Sequence, residues 1–136
     1  MSRFNYRTLP QQSHCIREIF PDFQHTIKDK EATWRGILRP SPNSPDYAIL
    51  IKYKENSIPH VWVKEPKIDL SCKHLYPSDD SLCLYYPKDK EWTPKLYIAY
   101  TIIPWTAEWL IYYEIWKITG IWYGEEAPHG ENKSFS

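Results

Sequence analysis

Cys83 stands in the run His74-Leu75-Tyr76-Pro77-Ser78-Asp79-Asp80-Ser81-Leu82-Cys83-Leu84. A thiolate is a strong nucleophile that needs only modest activation, so a thiol placed behind a polar turn and a histidine is a candidate for covalent catalysis. Most free cysteines are small buried hydrophobes, but the polar, proline-bounded setting of Cys83 favours the nucleophile. Cys72, His74 and Cys83 also raise a zinc reading. Their spacing matches no common site and a fourth ligand is missing, so neither a metal nor a cofactor is expected. A cysteine hydrolase pairing Cys83 with His74 or His129 would need a third orienting group, which the sequence does not offer. His74 is expected to act as a structural hydrogen-bonder ahead of a general base. Asp79 and Asp80 are expected to shape the turn through side-chain bonds to backbone. Cys15 is assigned to packing.

Such a loop needs a scaffold, and the hydrophobic pattern supplies one. Thr8 and Gln11 have the spacing of a capping box, so a short helix starts there, with Ile16, Ile19 and Phe20 turned inward and Pro21 as its stop. Strands follow near Phe23–Lys28 and over Ala32–Arg39, with Trp34 and Leu38 on one parity. The cluster Pro40-Ser41-Pro42-Asn43-Ser44-Pro45 can only be a turn. Tyr47, Ile49, Ile51 and Tyr53 then alternate with Ala48, Leu50, Lys52 and Lys54, a clear period of two. His60–Val63 is a further short strand ending before Pro66. The expected architecture is α+β: one helix, four antiparallel strands joined by short turns, an irregular segment over 66–95 that carries Cys83, and a long final helix. That helix should have Pro104 in its first turn and Gly120 as its cap. At 100° per residue Trp105, Trp109, Tyr112 and Trp116 form one stripe, taken as core, and Thr106, Glu114 and Lys117 a polar one. Glu108 falls on the apolar side, where a buried carboxylate would need a partner.

The chain has 136 residues, enough for one domain with a real core. The division expected is a domain over 1–124 and a flexible tail over 125–136. With 17 Lys+Arg against 17 Asp+Glu, nothing marks an electrostatic nucleic-acid or membrane partner. Tyr97–Tyr123 is the most membrane-like stretch, but Glu108, Glu114 and Lys117 would each cost roughly 2.5–3.5 kcal/mol at a bilayer centre. A buried soluble helix is the better account. Three cysteines without a secreted-domain spacing, and a start lacking a signal-peptide core, indicate a cytoplasmic protein with reduced thiols.

The order of elements and three sequence blocks resemble the ubiquitin-conjugating (E2) fold, and in particular the divergent bacterial E2-like proteins of CBASS anti-phage operons. The blocks are Trp34-Arg35-Gly36, then Tyr76-Pro77 with Ser81-Leu82-Cys83-Leu84-Tyr85. The third is Thr101-Ile102-Ile103-Pro104-Trp105-Thr106-Ala107-Glu108-Trp109, followed by Tyr113-Glu114-Ile115-Trp116 and Thr119-Gly120. The resemblance implies an E2/UBC-like fold and a stand-alone transthiolation enzyme of the short-operon type. In such an enzyme Cys83 would take up, as a thioester, the C-terminal tail of a cGAS-like nucleotidyltransferase (CD-NTase), priming cyclic-nucleotide signalling. His74 matches the histidine of the family's His-Pro-Asn motif. Leu75 and Tyr76 replace its Pro and Asn, so Tyr76 would have to supply any oxyanion-stabilising hydrogen bond, with a different reach. The alternative is a non-catalytic E2-like binding module for the same partner.

Overall fold

A computed structural model describes residues 5–85 and 91–124. Thr8 opens the first helix, α1 (Leu9–Ile19), through the expected capping box: its hydroxyl accepts from the Gln11 amide at 3.1 Å, and the Gln11 side chain accepts from the Thr8 amide at 2.8 Å. A helix start leaves its first amides orphaned; Pro10 has none to satisfy, and the box satisfies those of Thr8 and Gln11 reciprocally. The inward stripe is Leu9, Gln12, Ser13 and Ile16. Ile19 departs from expectation: the helix ends there and its side chain stays exposed. Phe20, the C-cap (φ −125°, ψ 73°), does turn inward, half-buried against the core with its ring meeting Phe23. Gln12 is fully buried and clamps the chain ahead of the last helix, donating to Leu96 O and accepting from the Ile98 amide.

Four strands form one antiparallel sheet in sequential order: β1 (Gln24–Lys28), β2 (Glu31–Leu38), β3 (Tyr47–Lys54) and β4 (His60–Glu65). β1 and β2 are joined by Asp29 and Lys30, both at positive φ (53° and 65°), the backbone that lets a two-residue turn follow the twist of its strands. β1 is an edge strand and every residue in it is exposed. The period of two in β3 is realised: Tyr47, Ile49, Ile51 and Tyr53 are buried, facing Ala32, Trp34 and Leu38 of β2 and Val61 of β4 on the same side. Trp34 is fully buried, and its indole N–H donates to the Ser13 hydroxyl at 2.8 Å, tying sheet to helix.

Gly36 shares the inward parity of Trp34 and Leu38, yet the Phe23 ring occupies the space a side chain would take. A Cβ there would lie 2.1 Å from ring carbons. Gly36→Ala is therefore expected to destabilise the protein by about 1–3 kcal/mol, the usual cost of overpacking a filled core. Urea denaturation checks this, and a change under about 0.5 kcal/mol would mean that Phe23 can vacate the site without penalty.

A short 3-10 turn (Ile98–Tyr100) leads into α2 (Ile102–Thr119), which has Pro104 in its first turn and Gly120 as a left-handed cap (φ 78°) donating to Trp116 O. The buried face of α2 is Ile102, Ile103, Thr106, Trp109, Leu110 and Tyr113. Of the tryptophan and tyrosine stripe taken as core, Trp109 is buried, Trp105 and Trp116 are half-buried against the core, and Tyr112 is half-buried. Two other readings of this helix's faces are corrected. Thr106, assigned to the polar stripe, is fully buried, its hydroxyl satisfied by Ile102 O at 2.7 Å. Glu108, expected on the buried side, is exposed and accepts from the Tyr112 hydroxyl. The cause is that α2 is apolar on nearly every side, so a 3.6-residue period carries little information about which side packs. The Glu114 carboxylate is half-buried and accepts from the hydroxyls of Ser44 (3.1 Å) and Tyr47 (2.8 Å), anchoring the proline-rich β2–β3 loop to α2. Among the described residues no helix is long and apolar enough to cross a membrane. The tail expected over 125–136, with His129, lies outside the described residues.

Candidate active site

The segment after β4 reaches the thiol by way of α2. Asp69 donates its amide to the Tyr113 hydroxyl at 2.7 Å, and its carboxylate accepts from Ser71 and from Lys117. Those donors, the Ser71 hydroxyl first, hold the Asp69 carboxyl down at about 2. Cys72 then turns inward, and burial pushes its thiol up to about 11. Such a group stays neutral and behaves as packing.

Residues 74–83 fold into a miniature hairpin within the segment expected to be irregular. The Cys83 amide donates to His74 O (3.0 Å), the Tyr76 amide donates to Ser81 O (2.8 Å), and Leu75 pairs antiparallel with Leu82. Both leucines are buried and fasten the hairpin to the core. Its turn is built by the two aspartates, in different ways. The Asp79 carboxylate accepts from the Ser81 amide (2.9 Å) and hydroxyl (2.7 Å), while Asp80 takes the left-handed backbone (φ 63°) that a short acidic side chain tolerates. Ser81 is thereby fully buried with its hydroxyl satisfied.

Neighbouring elements hold the hairpin from two sides. The Leu82 amide donates to Val61 O (2.8 Å) on the free edge of β4, and the Trp62 indole donates to Asp79 O (2.9 Å). The Tyr85 hydroxyl donates to Pro59 O, and its ring meets Trp105 edge-on. From α2, the Trp109 indole N–H donates to His74 O at 3.1 Å, so that this one carbonyl receives both Trp109 and Cys83. His60 Nδ1 lies 3.7 Å from Asp79 Oδ2, beside the turn.

The three residues singled out in the sequence do converge. The Cys83 thiol is half-buried, with the Tyr76 hydroxyl and the Tyr85 amide as its hydrogen-bond partners, the Tyr85 amide being shared with the Tyr76 oxygen. Burial, the dominant influence, pushes the thiol above its ordinary value of 9.0, and the two hydrogen bonds pull against it. The Tyr76 hydroxyl is held above its own ordinary value, first by burial and then by the thiol beside it. Both influences favour the protonated hydroxyl, which is a hydrogen-bond donor. His74 enters differently: its carbonyl orients Cys83, and its buried imidazole stacks on Trp122 with ring centroids 3.9 Å apart. Sequence reasoning did not single out Trp122, Trp62 or Tyr85. The only trace of Trp122 is its place just beyond the glycine cap of α2, where a chain reversal can return a side chain to the helix. Among the described residues no group of three or more His, Cys, Asp or Glu could hold a metal ion.

This arrangement predicts an unusual reactivity profile. Alkylation of Cys83 by iodoacetamide should still be rising above pH 9.0, because only the thiolate reacts and burial opposes it. Tyr76→Phe removes an influence that lowers the thiol pKa, so the midpoint should move higher still. Mass-spectrometric rates at the Cys83 peptide measure both. A midpoint that falls in Tyr76→Phe would mean that the hydroxyl does not serve the thiolate.

Comparison with curated proteins gave no match. A family model described as Type II CBASS E2 protein matches residues 12–130, a span that takes in most of α1, the whole sheet, the Cys83 hairpin and α2. With the match running through nearly all of the folded chain, this protein belongs to the Type II CBASS E2 family and so to the CBASS anti-phage systems.

Proposed function

We propose that the protein is an E2-like acyl-transfer enzyme in which Cys83 accepts the C-terminus of a CD-NTase as a thioester. The observation that carries this reading is the pair of donors, the Tyr76 hydroxyl and the Tyr85 amide, converging on a half-buried thiol. The order of helix, four-strand meander, cysteine hairpin and helix supports an E2/UBC-like fold for the same reason: each element bears on the placement of that thiol.

In the reaction the thiolate attacks an activated C-terminal carbonyl carbon, forming the carbon–sulfur bond. The carbonyl electron pair moves to oxygen, then returns as the activating group leaves with its own bonding pair. The charge that develops on oxygen needs donors already in place, and a tyrosine hydroxyl that stays protonated is such a donor. Burial favours the protonated thiol at rest, so its proton passes to solvent as the attacking thiolate forms. The setting is the bacterial cytoplasm, where thiols are kept reduced.

One observation favours a binding module without chemistry: burial holds the thiol neutral, and Leu75-Tyr76 stands where the wider E2 pattern has Pro-Asn. Intact mass spectrometry with non-reducing electrophoresis decides between the two readings, using the wild-type protein co-expressed with its neighbouring CD-NTase. The enzyme reading expects an adduct mapped to Cys83 that is lost with thiol and with hydroxylamine. An adduct lost with thiol alone is a disulfide and counts against it. A stable complex with no covalent species establishes the binding module.

A further inference from the structure

We propose that Trp122 is a positioning residue for Cys83, and that the turn after α2 is thereby part of the active site. This rests on the reading of Cys83 as the reacting group. Gly120 ends the helix in left-handed backbone, and the Ile121 amide donates to the Thr119 hydroxyl at 3.0 Å, fixing the reversal. Of the three residues that follow the cap, Ile121 and Tyr123 are 51% and 62% exposed, while Trp122 between them is turned back onto the protein. Its indole lies nearly parallel to the His74 imidazole (3.9 Å, 17°) and meets Trp109 (5.4 Å) and Tyr112 (5.8 Å). Gly124 closes the approach, since a Cβ there would sit 2.7 Å from the Tyr112 ring.

Trp122 and Trp109 thus hold one residue from two directions, the first by its ring and the second by its carbonyl. That carbonyl accepts the Cys83 amide. Two positions further along the same strand is Tyr76, whose hydroxyl reaches the thiol. A loosened His74 would therefore misplace both the nucleophile's backbone and its donor. Offset loss of this kind is costly in catalysis, because an error near 1 Å removes about two orders of magnitude in rate.

Amide hydrogen exchange reads the hold directly, and adduct formation reads its consequence. In Trp122→Ala the Cys83 amide is expected to exchange about tenfold faster or more, while the β2–β3 ladder stays within about twofold of wild type. Trp122→Phe keeps a stacking ring and should restore Cys83 exchange to within about threefold. The rate of Cys83 adduct formation with the CD-NTase should fall about tenfold in the alanine variant and recover in the phenylalanine one. Unchanged Cys83 exchange in Trp122→Ala overturns the proposal. So does acceleration of hairpin and ladder together, which would make Trp122 a general core residue, and so does faster exchange with an unaltered adduct rate. A wild-type protein that forms no adduct overturns the transfer reading instead, and the exchange comparison then still decides whether Trp122 holds the hairpin.

Discussion

Cys83→Ser is expected to abolish the thiol-labile adduct and leave in its place an adduct that survives reduction. Serine is nearly isosteric, so the hairpin should hold it with the same backbone bond to His74 O and the same donors from Tyr76 and Tyr85. Its hydroxyl is a far weaker nucleophile than a thiolate, and attack should slow by about three orders of magnitude or more. Any ester that does form resists thiols and accumulates. Cys83→Ala should form neither species. Mass spectrometry after reducing and non-reducing electrophoresis distinguishes the three proteins. A thiol-labile adduct persisting in Cys83→Ser would move the nucleophile to another cysteine. Cys72 is then the poorer candidate, with its thiol held at about 11 and buried.

The largest expected loss of stability lies far from the thiol, at Trp34. Trp34→Ala should cost about 3–5 kcal/mol, because it empties a large, fully buried volume between β2, Tyr53 and α1. It also strands the buried Ser13 hydroxyl, which now accepts the indole N–H. A domain with about 5–15 kcal/mol in hand loses much of it in one step. Trp34→Phe separates the two contributions: it keeps most of the ring but removes the donor, and about 1–2 kcal/mol is expected. Urea or thermal unfolding of the three proteins measures the series. An alanine variant within about 1 kcal/mol of wild type would contradict the described junction of helix and sheet.

How much of this could be read from the sequence depended on whether a residue's neighbours were local. Thr8 and Gln11 are three residues apart and bond each other, so the helix start was legible. Tyr47 to Tyr53 alternate over one strand with one face on the core, so the strand and its buried side were legible too. The faces of α2 were not, because an almost uniformly apolar helix is oriented by what it packs against; Thr106 and Glu108 exchanged the environments expected of them. Cys83, His74 and Tyr76 lie close in sequence, and their clustering could be foreseen. Their hydrogen bonds could not, since the hairpin register depends on Asp80 adopting left-handed backbone and on the Val61 carbonyl of β4. Trp122 was invisible for the same reason: its partner is 48 positions upstream, at 122 − 74.

The exposed β1 strand offers a practical handle. It ends in the Asp29-Lys30 turn and is separated from β4, which bears the thiol hairpin, by three strand spacings, about 14 Å. A fluorophore, an epitope or a surface tether grafted into that turn would displace little packed side chain and leave the Cys83 hairpin clear. Loop tips of this kind are where proteins best tolerate insertion. The molecule therefore comes with an attachment point for following the proposed transfer in real time without touching the residues proposed to perform it.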